Sequence, residues 1–114
     1  MTLGQKQRLF ALLVAKLITR AYSMGYEISL GEAWRSEAAA RANAAAGTGI
    51  VTSLHRSRLA IDLNLFKDGV YLTQSEDHRP LGEWWVRQHE LCRWGGDFKR
   101  RDGNHYSLAH GGRA

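Results

Sequence analysis

The sequence predicts an α+β fold, a small antiparallel sheet flanked by helices, on three observations. Helical and strand-like segments are mixed without the regular βαβ alternation of a parallel sheet. Residues 59–66 alternate between two faces, and Asp68-Gly69 directly after them is a two-residue hairpin signal. The chain of 114 residues, 44% hydrophobic and 24% charged, suits a single domain, 1–114, able to bury a core without disulfides or a structural metal.

The first element is an amphipathic helix. Phe10, Leu13, Val14, Leu17, Ala21 and Met24 recur at helical spacing, while Lys16, Arg20 and Ser23 lie on another face. Lys6 and Arg8 ahead of the apolar run Leu9–Ala15 resemble a signal peptide, but Lys16 follows at once and the helical register resumes. A structural helix without a leader is therefore expected. After Gly25, residues 26–34 read as a short strand, with Tyr26, Ile28 and Leu30 at alternate positions. Ser36 resembles an N-cap for an Ala-rich helix over 37–46 that stops at Gly47, and a polar loop fills 47–54. Leu59 to Phe66 is a strand, and Val70–Leu72 its hairpin partner. Pro80 suits the first turn of a helix running to about Arg93, ended by Trp94-Gly95-Gly96. Asp102-Gly103 turns the chain into a last strand, His105–Ala109.

Composition narrows the function classes. No apolar run approaches the roughly 20 residues of a membrane span, so no membrane insertion is expected. Sixteen Lys/Arg against eleven Asp/Glu leave a net charge of +5, which suits an anionic partner, nucleic acid or cell-wall polymer. Cys92 is the only cysteine, so no internal disulfide forms and a buried thiol is expected. A basic nucleic-acid-binding module finds support in Lys99-Arg100-Arg101, but no helix-turn-helix or zinc-finger spacing accompanies that run.

Alternation makes the central strand informative about chemistry. Leu59, Ile61, Leu63 and Leu65 share the face that packs on the helices, which puts Arg58, Ala60, Asp62 and Asn64 on the other. His55, seven residues before Asp62, lies in the loop leading in. His105 and Ser107 share a face of the last strand. If the two strands are neighbours, His55, Asp62 and His105 converge as two imidazoles and a carboxylate, a zinc set with a fourth position open. Asp102 across the Asp-Gly turn suits a general base, and Arg35 an oxyanion or carboxylate partner. Each has a plainer reading: solvated or hydrogen-bonded histidines, a turn-forming Asp102, a solvated Arg35. His78, in a polar stretch, His89, within the helix, and His110, in a Gly-rich tail, are weaker candidates; Trp84, Trp85 and Trp94 are expected as core or cleft walls.

Ser53-Leu54-His55-Arg56-Ser57-Arg58-Leu59-Ala60-Ile61-Asp62 resembles the Ser-x-His-(x)6-Asp signature of the zinc-dependent, VanY-type D-alanyl-D-alanine carboxypeptidases. Asp102-Gly103-Asn104-His105 resembles that family's second motif, Trp94-Gly95-Gly96 the segment preceding it, and Trp34-Arg35-Ser36 the segment with its substrate-side arginine. The short chain looks most like the L-alanyl-D-glutamate peptidases that phages use as endolysins.

The resemblance implies a hedgehog/DD-peptidase-like fold with zinc on the sheet face. His55, Asp62 and His105 would be the ligands, Asp102 the general base and Arg35 a stabiliser of charge, with Ser53 hydrogen-bonding locally in the site. The implied reaction is hydrolysis of the L-Ala–D-Glu bond of the peptidoglycan stem, leading to cell lysis. D-Ala-D-Ala carboxypeptidase or dipeptidase action is the alternative within the family. The implied protein is a monomer without nucleic-acid partners, held in the host cytoplasm until release to the wall. Arg58 departs from the pattern, since many members have Gly there; a long cation on the substrate side is expected either to crowd the cleft or to contact an acidic stem.

Overall fold

In the computed structural model, residues 1–33, 54–55 and 57–114 are described. The expected helix over 37–46, together with Arg35, Ser53 and Arg56, lies outside these residues. Helix α1 spans Leu3–Ser23 and opens with a reciprocal cap. The Thr2 hydroxyl accepts from the Gln5 amide at 3.1 Å, and the Gln5 side chain accepts from the Thr2 amide at 2.8 Å. Phe10, Leu13, Leu17 and Ala21 are buried, and Val14 and Met24 pack at the margin, the stripe that the spacing predicts.

Strand β1 is Glu27–Leu30, β2 is Ala60–Lys67 and β3 is Val70–Leu72. β2 alternates as expected, with Ile61, Leu63 and Leu65 buried and Asp62 and Asn64 half-buried. Asp68 and Gly69 link β2 to β3 with φ of 53° and 77°, the left-handed pair that an Asp-Gly hairpin turn requires. A 3-10 turn, Ser75–His78, leads into helix α2, Arg79–Val86, with Pro80 in its first turn.

Two expectations are corrected here. Helix α2 stops at Val86 rather than near Arg93, and Cys92–Trp94 forms strand β4. The apolar residues 91–94 fit either period, and pairing with the last strand decides in favour of extension. Arg58 is not on β2: it sits in the preceding turn with φ of 56°. That turn exists because the Leu54 carbonyl takes the amides of both Ser57, at 3.1 Å, and Leu59, at 3.0 Å.

Strand β5, His105–Leu108, completes a sheet ordered β1-β2-β5-β4, with β3 also paired to β2, every pairing antiparallel. The core lies between one face of this sheet and the two helices. Trp85 stacks edge-on with Phe10 at 5.9 Å and with Tyr106 at 6.0 Å, joining α1, α2 and β5. Cys92 is a buried free thiol, and burial pushes it up to about 11. No helix among the described residues is long and apolar enough to cross a membrane.

Candidate metal centre

The register of β2 against β5 pairs Asp62 with His105. Cross-strand partners project from the same sheet face, so the two side chains meet on the face opposite the helices. Asp62 is further fixed by backbone bonds on its other side, from the Gly31 amide to its carbonyl and from its amide to the Glu32 carbonyl, both at 2.8 Å. His55 comes to the same place by the turn before β2. Leu54 and Leu59 are both buried and anchor that turn, and Gln7 of α1 donates to the Ser57 carbonyl at 2.9 Å.

Three donor atoms result. His55 Nε2 lies 3.4 Å and His105 Nδ1 3.7 Å from Asp62 Oδ1, and one ligand atom from each residue lies within 4.8 Å of the others. Both imidazoles are buried, and Asp62 Oδ1 is a buried oxygen without a hydrogen-bond partner among the described residues. Burial alone would raise the Asp62 carboxyl, but its contacts with His105 and His55 outweigh that and hold it at about 2.

These residues fit a zinc ion. Bond lengths of about 2.0–2.1 Å place tetrahedral ligand atoms about 3.3–3.4 Å apart, close to the separations found from Asp62 Oδ1. An ionised carboxylate oxygen with no hydrogen bond, facing two imidazole nitrogens, is the donor set such a cation takes.

Asp102 flanks this centre. Its amide donates to the Gly95 carbonyl at 2.9 Å, and its own carbonyl accepts from the His105 amide at 3.1 Å. Gly95 is required by proximity: a Cβ there would stand 2.0 Å from the Asp102 carbonyl oxygen. Burial and the Asp62 charge raise the Asp102 carboxyl above its ordinary value, against the pull of His105, His55 and Arg100.

The structure therefore brings together His55, Asp62, His105 and Asp102, and places Arg58 in the turn before β2. Arg35 and Ser53 are not among the described residues. Three features escape a reading of the sequence. The Phe98 ring covers His105 at 5.3 Å, with Trp94-Gly95-Gly96 nearby as the only local signal. His78 is buried, its Nδ1 2.8 Å from the Tyr106 hydroxyl, and burial lowers it to about 4. Arg101, grouped by sequence with a free basic run, pairs with Glu76, which also takes Arg79 Nε at 2.8 Å.

Comparison with known proteins accords with this geometry. Residues 46–108 match a family described as D-alanyl-D-alanine carboxypeptidase. Among solved structures, the Serratia marcescens L-Ala D-Glu endopeptidase ChiX is 26% identical with a TM-score of 0.69, over 85% of this chain and 77% of that one. No curated protein matches. With more than half of its length matched, and with the match spanning His55, Asp62, Asp102 and His105, the chain belongs to the D-alanyl-D-alanine carboxypeptidase family.

Proposed function

We propose that this protein is a zinc peptidase that cuts the peptide stem of peptidoglycan at the L-Ala–D-Glu bond. The observation that carries the reading is the donor triangle of His55 Nε2, Asp62 Oδ1 and His105 Nδ1 with the Asp102 carboxyl beside it. Likeness to the ChiX endopeptidase favours that bond over others in the stem. His55, Asp62 and His105 would hold the zinc ion, which when bound would supply Lewis acidity toward the scissile carbonyl and water. Asp102 accepts the proton of the attacking water on a carboxylate oxygen and delivers it to the departing amine. Arg35 is assigned to the negative charge that builds on the carbonyl oxygen, and Ser53 to hydrogen bonding within the site. The role is that of a phage endolysin, held in the host cytoplasm and released to the wall to lyse the cell, with a monomer as the working unit.

A second reading, release of terminal D-Ala, is favoured by the description of the matched family. Mass spectrometry of digested muropeptides separates the two. New stems beginning with free D-Glu are expected, whereas free D-Ala alone would assign the carboxypeptidase reaction. Asp102→Ala is expected to retain zinc while losing turnover by about 10²–10⁴-fold. Near-normal turnover in that variant would remove Asp102 from the mechanism.

A further inference from the structure

We propose that Trp94 is a positioning residue, whose indole N–H holds the turn that carries Asp102. The proposal rests on the reading of Asp102 as the proton-transfer group.

Trp94 closes β4 and is almost wholly buried, opposite Tyr106 of β5. Its ring occupies a slot between two glycines. A Cβ on Gly82 would stand 2.1 Å from the indole, and one on Gly96 2.2 Å from it. The Arg79 guanidinium lies 5.1 Å from the ring centroid and is itself bound by two 2.8 Å hydrogen bonds to Glu76. So confined, the indole Nε1 donates to the Gly103 carbonyl at 2.7 Å. On the other side, the Gly103 amide donates to Ser75 Oγ at 3.0 Å. Both backbone polar groups of Gly103, the residue after Asp102, are thus held by side chains from outside the turn.

The two functional residues of the turn differ in what secures them. His105 is pinned by strand pairing with Asp62, and the Asn104 carbonyl accepts from the Leu63 amide at 2.9 Å. Among the described residues, Asp102 is secured by its backbone bonds to Gly95 and His105 and by the clamped Gly103 beside it. Losing the indole bond therefore frees Asp102 while leaving His105 in place. Filling the core needs an aromatic ring at position 94; holding this turn needs its N–H.

The test compares Trp94→Phe and Ser75→Ala with Trp85→Phe, which loses a buried indole bond to the Arg93 and Ser107 carbonyls elsewhere in the core. In zinc-loaded Trp94→Phe, kcat on muropeptides is expected to fall by about 10–100-fold, the usual effect of removing a supporting partner. KM and zinc affinity are expected to stay within about threefold of wild type, since neither depends on Asp102 placement. Amide exchange in the metal-free variant should quicken about tenfold at Asp102 and Gly103, with Tyr106 and Leu108 still protected. Ser75→Ala should move the same observables in the same direction, and it decides alone if Trp94→Phe does not fold. Unchanged kcat and exchange in these two variants would overturn the proposal, as would an equal loss of kcat in Trp85→Phe. A wild type with no action on muropeptides would instead overturn the peptidase reading, while the exchange measurement still judges the clamp.

Discussion

Zinc should stabilise this fold by an amount that depends on His105. An ion held by His55, Asp62 and His105 would need donors that only the native fold assembles, so its binding free energy would add to folding free energy. At free zinc about 100 times its dissociation constant, the gain is about 2.7 kcal/mol. Unfolding entropy of about 2.1 cal/mol/K per residue, over 114 residues, amounts to about 240 cal/mol/K. The quotient is a rise in Tm of about 11 °C. Thermal melts followed by circular dichroism, after chelation and again with added zinc at neutral pH, measure it. In His105→Ala, with one of three donors gone, the zinc-dependent rise should shrink to about 2 °C or less. Equal rises in wild type and His105→Ala would show zinc acting elsewhere and refute the assignment.

Two further outcomes concern the fold around the centre. Burial holds His78 at about 4 against an ordinary 6.5, so the unfolded chain takes up a proton in that interval that the folded chain refuses. The resulting stability is whole above pH 6.5 and drains as pH falls toward 4. Urea unfolding of metal-free protein at pH 7 and pH 5 should show His78→Gln losing about 2 kcal/mol less than wild type over that interval; identical losses would clear His78 of the effect. Arg58→Gly removes a left-handed penalty of about 1–2 kcal/mol and gives back about 0.5–1 kcal/mol in unfolded-chain freedom. Its urea midpoint should rise; a fall would mean that contacts of the Arg58 side chain outweigh the backbone.

Much of this architecture was legible because local chemistry and tertiary structure agree. The α1 stripe, the β2 alternation and the Asp68-Gly69 turn each follow from the residues in place, and the structure keeps all three. Of the candidate metal ligands, Asp62 could be read from the faces of its strand. His55 and His105 required knowing which strand lies beside β2, and paired sequence motifs supplied that. Two of the misreadings share one cause, a partner distant in sequence. Cys92–Trp94 is extended because β5 pairs with it, and His78 is buried because Tyr106 waits 28 positions later. Arg58 was misplaced for a more local reason, the two amides gathered by the Leu54 carbonyl, which no alternation pattern reveals.

The same register that builds the core also builds the centre. Ile61 and Leu63 of β2, with Tyr106 and Leu108 of β5, are buried on the helix side, and burying several such side chains stabilises by roughly 1.5–3 kcal/mol each. Asp62 and His105 are the intervening positions, so their meeting on the opposite face follows from alternation and needs no attraction between them. A slip of one residue between β2 and β5 would turn apolar side chains toward the open face and carry Asp62 into the core. Its energetic cost is therefore that of losing the core, far larger than any loss from a weakened metal site. The Asp62 carboxylate, even metal-free, gains less from its two imidazoles than the sheet gains from its apolar burial. The arrangement persists in this fold because the hydrophobic face of the sheet, not the ligands, decides the pairing.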